Sequence, residues 1–360
     1  MGKNKIIGIL SMQRIINYGS YMQALGLKLL IESLGNSTVF VDYHIGSKFS
    51  KQNIKNLPEY KKLRKILSLI KPIKNNLEVE AIKSQYNVLD LDERFHYRTK
   101  VDTLVIGSDE VFNYIQNGQN VGYAPELLGI NNNAKKVISY AASCGNLTKN
   151  RLLKYNKVKE FSDAINSMSA VSVRDTNTFE LVKELTSVTP IYHSDPVLVT
   201  DFTEYLQDNV NIENYIIVYG YTNRFTEAEG NAIKSYAKKK KKKLYALGGN
   251  QSFCDKLIIC KPLEVLSFFR HAYLIITDTF HGTIFSVISK KNFVIIVRPG
   301  EEGNENKLTC LINQLGIENK RISNINDIEK IANNFIDYTI IDEYRDIERK
   351  RAINYLLSQL

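Results

Sequence analysis

A chain of 360 residues, 44% apolar and 24% charged, is too long for one ordinary core and reads as a globular protein of two domains. The net charge is +10, yet no apolar run approaches the roughly 20 residues that a membrane-spanning helix needs. Four cysteines (Cys144, Cys254, Cys260 and Cys310) lack metal-ligand spacing, so no metal is expected and a reducing cytoplasm is the simplest home.

Strand and helix alternate from the start. Ile6 to Leu10 is too short an apolar run for a signal peptide and reads as a first strand. A loop holding Asn17-Tyr-Gly19-Ser20 leads into a helix from about Tyr21 to Leu34, stopped by Gly35. Thr38 to Val41 is a second strand ending at Asp42. A basic helical insert then occupies about 48–98. Residues 48–76 carry nine Lys or Arg against one acid, Glu59. Leu63, Ile66, Leu67, Ile70 and Ile73 fall there at helical spacing, interrupted at Pro72. Such a basic amphipathic helix either docks on the neighbouring domain or rests transiently on an anionic membrane surface. Strands follow at Thr103–Gly107, Val137–Ala142 and Ala170–Val173, with helices at Leu152–Met168 and Thr178–Leu185. An extended stretch then reaches Ser194-Asp195-Pro196, where proline breaks the pattern.

The alternation restarts after about Asp201. Strands are expected at Tyr215–Tyr219, Lys243–Leu247, Tyr273–Thr277 and Phe293–Val297. Helices are expected at Glu227–Lys239, Leu263–His271 and Thr283–Ser289, and the lysine run Lys238 to Lys243 complements the end of the first of these. This predicts an N-terminal Rossmann-like domain over 1–205, a C-terminal one over 206–341, and a closing helix over 342–360.

The stretch from Leu274 to Ile288 organises the rest. A buried parallel strand ends at Thr277, Asp278 and Thr279 can cap, and an apolar helix follows. His281 therefore stands at a helix mouth beyond the carboxyl end of a strand, where open α/β sheets bind ligands and N–H groups favour anions. It can move a proton there, or merely brace the turn. Two tandem α/β domains put a cleft between them, and Asn17, Gly19, Asp109 and Arg174 also fall at strand ends. Each has a plainer reading: Gly19 as a turn, Asn17 as its brace, Asp109 as a helix cap, Arg174 as an ion-pair partner of Asp175. The chain lacks G-x-G-x-x-G and G-x-x-x-x-G-K-[ST] at strand–helix junctions, which disfavours nicotinamide and P-loop enzymes. It also lacks H-E-x-x-H and G-x-S-x-G.

Six short motifs in order join these residues. They are Asn17-Tyr-Gly-Ser, Val105-Ile-Gly-Ser-Asp109-Glu-Val-Phe-Asn113, Ser139-Tyr-Ala-Ala-Ser143, Val171-Ser-Val-Arg174-Asp175, Ser194-Asp195-Pro196 and Thr277-Asp-Thr-Phe-His281-Gly-Thr-Ile-Phe-Ser286. The set resembles the polysaccharide pyruvyl transferases and spans nearly the whole chain. Two departures stand out: Glu110 where the family often has Gln, and Thr279 where many members have Arg.

The resemblance implies two Rossmann-like domains facing a central cleft, a GT-B-like α/β fold. It implies transfer of a pyruvyl group from phosphoenolpyruvate, a co-substrate and not a bound cofactor, onto two hydroxyls of a sugar or lipid-linked oligosaccharide acceptor. His281 is then the general acid and Asp109 the general base. Arg174, Thr279, Gly282 and Thr283 fall on the donor side; Asn17, Gly19 and Ser108 fall on the acceptor side. No metal and no nucleic-acid partner is expected, and the place of work is the cytoplasm, peripheral to the inner face of the membrane. Two other readings stay open: a glycosyltransferase of the same architecture using a nucleotide sugar, and a phospho-ligand binding protein without catalysis.

Overall fold

The computed structural model describes residues 5–47, 73–116, 120–206, 210, 212–299 and 305–360. Of the basic segment expected over 48–76, residues 48–72 lie outside the described residues; the described helix there is Ile73–Lys83.

Two parallel sheets form the protein. The first carries β1 (Ile6–Leu10), β2 (Ser37–Phe40), β3 (Val101–Ile106) and β4 (Ala134–Ser139) in the order β2-β1-β3-β4. Single bridges from Ile138 to Ala170 and from Ala142 to Val173 extend it toward the short pair β5 (Ser172–Val173) and β6 (Ile191–Tyr192). The second carries β7 (Tyr215–Tyr219), β8 (Lys243–Leu247), β9 (Lys256–Ile258), β10 (Leu274–Thr277), β11 (Phe293–Ile296) and β12 (Arg321–Ile322), in the order β12-β11-β10-β7-β8-β9. Read from β7, that order is 3-2-1-4-5-6, the doubly wound pattern, while the first sheet follows the related 2-1-3-4 order. The sequence dictates the parallel form, because β7, β10 and β11 are buried at every position and so need cover on both faces.

The helix Tyr18–Glu32 is apolar nearly all round, which suits only a buried helix. It belongs to one continuous core that joins Ile7 and Tyr21 to Phe285, Leu308 and Leu356. Its Tyr18 hydroxyl donates to the Cys260 carbonyl at 3.1 Å, tying the first sheet's helix to the second sheet. The last helix, Tyr338–Gln359, returns to the first half. Arg345 donates to the Leu198 carbonyl at 2.8 Å, and Tyr355 to that of Ser139 at 2.8 Å. That helix starts ahead of the expected Asp342 because Asp337 caps it through the Thr339 N–H, a start hidden by the β-branched Thr339-Ile-Ile341. The single helix expected over Leu152–Met168 is instead two, Lys149–Lys154 and Val158–Asn166, split where Asn156 turns to a φ of 53°. Among the described residues no helix is long and apolar enough to cross a membrane.

One buried group gives the fold a pH signature. His193 lies against Tyr355 with ring centroids 4.7 Å apart and its Nδ1 is 2.8 Å from the Ser172 hydroxyl. Burial, reinforced by the Arg351 charge, pushes its pKa from 6.5 down to about 4. Between those values the unfolded chain holds a proton that the folded chain does not, so stability falls as pH drops from 6.5 to 4. The loss reaches about 3 kcal/mol at 1.36 kcal/mol per unit. Unfolding by urea at pH 7 and pH 4.5 checks this: the acid penalty should shrink by at least half in His193→Gln, and an unchanged penalty would place its origin elsewhere.

Candidate active site

The expected residues meet in a cavity of about 330 Å³ between the carboxyl ends of the two sheets. It lies at the switch point of both. In the first sheet the order reverses between β1 and β3, whose following loops bring Asn17 and Asp109; in the second it reverses between β7 and β10, which bring Tyr221 and His281. Asn17, Asp109, Arg174, Thr279 and His281 all line it.

Thr279 caps the helix Phe280–Ile288 by accepting from the Gly282 N–H at 2.9 Å, which sets His281 in the first turn. Asn17 caps the helix Tyr18–Glu32 by accepting from the Gly19 and Ser20 N–H groups. The two helix mouths face each other closely. A Cβ on Gly19 would lie 2.3 Å from His281 Nδ1, so the missing side chain is what admits the imidazole. Gly19 is therefore neither a turn residue nor on the cavity wall. It is the floor under His281.

Arg174 is the electrostatic hub. Its Nη1 donates to Asp195 at 2.6 Å and its Nη2 to Asp109 at 3.1 Å, while its guanidinium packs 4.4 Å from the centroid of the Phe280 ring. Its side chain is 1% exposed. The fork expected to grip a donor anion is thus filled by two carboxylates, and its partner is not Asp175, which caps the helix Thr176–Leu185 instead. Asp195 Oδ2 also accepts from the Ser108 hydroxyl at 3.0 Å and sits 3.6 Å from His281 Nε2. Ser108 is fully buried beneath the cavity and steadies Asp195. Gly282 and Thr283 also lie off the wall. Gly282 is wedged so that a Cβ would meet Thr277 Oγ1 at 2.2 Å, and the Thr283 hydroxyl donates back to the Thr279 carbonyl.

Asp109 lines the cavity with a φ of 71°, a conformation Asp tolerates better than most residues. Burial pushes its carboxyl up, but Arg174, His281 and Lys307 together outweigh burial and hold it below the usual range. Asp195 is likewise held down: burial opposes, and His281 and Arg174 win. Both are carboxylates at neutral pH.

Three groups at the site, Lys307 and Arg224 on the wall and Asp195 buried behind it, were not singled out from the sequence. Lys307 reaches across from the second half to pair with Glu110 at 2.6 Å. Arg224 points at the cavity mouth and pairs at 3.0 Å with the buried Asp278, which Arg298 holds at 2.9 Å from the other side. Asp195, quoted only as part of a motif, proves to be the residue that joins Arg174 to His281. Arg224 and Lys307 sit in loop and helix stretches without a motif, and only the fold brings them to the site. Glu110 has its own account: the departure from Gln supplies the carboxylate that Lys307 meets.

A sequence model of the family described as polysaccharide pyruvyl transferase matches residues 17–299. No protein of curated function matches the chain by sequence. Solved structures share the fold at low identity. Arabidopsis thaliana UGT89C1 complexed with quercetin is 10% identical, with 99% of each chain covered and a TM-score of 0.51. A Staphylococcus aureus MnaA–UDP structure is 12% identical over 99% of this chain and 98% of that one, TM-score 0.51. The Methanocaldococcus jannaschii UDP-GlcNAc 2-epimerase with UDP-GlcNAc and UDP is 10% identical over 97% and 99%, TM-score 0.51. These likenesses establish two Rossmann-like domains in a GT-B-like pair.

Proposed function

The chain belongs to the polysaccharide pyruvyl transferase family, and from that premise we propose that it carries the pyruvyl group of phosphoenolpyruvate onto two hydroxyls of a sugar. The product is a cyclic ketal on a cell-surface polysaccharide or its lipid-linked precursor, and phosphate leaves. The observation that carries this reading is the pairing of His281 with the buried Asp195–Arg174–Asp109 chain on the cavity wall.

The chemistry divides among these groups as follows. His281 gives a proton to the enol methylene, which becomes the methyl group, and C2 becomes an oxocarbenium-like centre. Asp195 and Asp109, both ionised, favour the positive charge that develops on that carbon. The first sugar hydroxyl adds to C2 and hands its proton to Asp109. Because Asp109 is a weak base in this setting, the proton passes on to phosphate as the C2–O–P link breaks. The second hydroxyl then closes the ketal and returns a proton to His281. Two hydroxyl protons go in; one ends in the methyl group and one on phosphate, with no change of oxidation state.

The donor's carboxylate and phosphate need cations other than Arg174, whose fork is filled. Lys307 and Arg224 line the same cavity and take that role. The acceptor enters from the side of Asn17 and Asp109, and the basic segment 48–76 gives the protein transient purchase on the anionic inner face of a membrane.

Phosphoenolpyruvate at millimolar concentration is expected to raise the melting temperature, since a ligand of the folded state alone stabilises it. Phosphate should then be released only when an acceptor sugar is present. A clear shift with a nucleotide sugar and none with phosphoenolpyruvate would replace this reading with the glycosyltransferase one. A shift with phosphoenolpyruvate and no turnover on any acceptor tried would favour a binding protein.

A further inference from the structure

The helix Phe280–Ile288 carries His281 at one end and borders a second cavity, of about 210 Å³, at the other. A nine-residue helix is about 13 Å long, so the two cavities are separate sites. Three parts of the chain meet at the second one: the crossing segment around Thr200 to Leu206, Arg270 with Ser289 and Lys290, and Arg345 with Arg349 from the closing helix.

Its wall is cationic. Asp342 pairs with Lys290 at 2.5 Å and with Arg345 at 3.3 Å, and Asp201 is occupied by the Thr203 N–H and hydroxyl. With Asp346 also near Arg345, three carboxylates stand against four cations. Arg349 uses its Nε on the Val199 carbonyl at 2.5 Å, and Arg270 makes no hydrogen bond or ion pair among the described residues. Burial, and then the nearby charge of Arg349, lower the affinity of Arg345 for its own proton despite Asp342. Ser289 is 7% exposed, and its hydroxyl has no hydrogen-bond partner among the described residues. A buried hydroxyl without a partner among the described residues, on a wall that also carries clustered guanidinium groups, is half of a recognition site.

We propose that this pocket binds a soluble anion of the phosphate class, inorganic phosphate or diphosphate. Arg270 and Arg349 offer planar forks that match phosphate oxygens, and the Ser289 hydroxyl donates a further bond. At about 30 Å³ per water, the space equals about seven waters, enough for a diphosphate and part of its hydration. Because the wall draws on the second half, on the segment that crosses to it and on the closing helix, an anion here ties those three parts together. The proposal stands whatever the cleft at His281 does.

Calorimetric titration and melting curves with sodium diphosphate at constant ionic strength test it. Wild-type protein should bind and shift upward. Arg270→Gln should weaken binding about threefold or more, and Arg270→Gln with Arg349→Gln tenfold or more. Arg270 is exposed and makes no bond among the described residues, so the single variant is expected to keep its fold, and its unliganded melting temperature serves as the check. Lys149→Gln, on the surface outside both cavities, should leave diphosphate affinity unchanged. Equal affinity in wild type and both pocket variants would overturn the proposal. So would no binding by wild type. Binding confined to vesicles of phosphatidylglycerol and phosphatidylcholine, with none to soluble diphosphate, would overturn it as well.

Discussion

His281→Ala is expected to lower turnover by about two orders of magnitude or more, the usual scale for removing a general acid, with little loss of stability. The imidazole is 12% exposed on a cavity wall and contributes no hydrogen bond to the turn, which Thr279 caps independently. A second variant reaches the same group without touching it. Gly19→Ala places a methyl where only about 2.3 Å separates it from His281 Nδ1, so the ring must swing away from Asp195. Its turnover should fall about tenfold or more at near-normal affinity for phosphoenolpyruvate, since misplacement by about 1 Å costs rates of that order or larger. The measurements are initial rates of phosphate release with acceptor, alongside melting curves. If His281→Ala lost its fold while turnover per folded molecule held steady, the histidine would be a brace and the proton donor another group.

Much of this site was legible in the chain because its residues follow strand ends, and strand ends announce themselves. Leu274-Ile-Ile-Thr277 can only be a doubly covered strand, so what comes after it must stand at the top of a sheet. The same holds for Val101–Ile106 and Asp109, and for β5 and Arg174. Direction of approach was not legible. Gly19 has the composition of a turn residue, and its service to His281 exists only once two helix mouths from different halves are brought together. Arg174 read either as a fork for the donor or as an ion-pair partner of the adjacent Asp175; the acids it bonds are Asp109 and Asp195, distant in the chain. Lys307, on a helix, and Arg224, on a loop, carry no local pattern, since such a cation is indistinguishable from a solvated one until its partner is placed. Helix starts were misplaced for a related reason. Aromatic and β-branched first turns at Phe280 and Thr339 have the composition of strands, and capping at Thr279 and Asp337 decides the matter.

Arg174→Met is expected to be the most destabilising single change at the site, and its effect separates charge from shape. Methionine keeps the apolar stem against Phe280 but leaves Asp109 and Asp195 without the cation they share. Breaking a buried pair by removing one partner costs about 3–5 kcal/mol, because the surviving charge stays desolvated. Here two carboxylates survive, and Asp195 is 0% exposed. Relief comes through protonation: once Arg174 is gone, the carboxylates that it held below their usual range rise, so the variant recovers stability as pH falls below neutrality. Wild type does the opposite, since carboxyls held low in the folded state lose stability as pH falls through and below their unfolded values. Arg174→Lys keeps the charge but spans only one of the two acids, and should fall between the two. Urea unfolding of the three proteins across pH 4 to 7 reads the difference. Parallel pH slopes for wild type and Arg174→Met would mean that Arg174 is not what holds the two carboxylates ionised, and the electrostatic account of His281 would lose its footing with it.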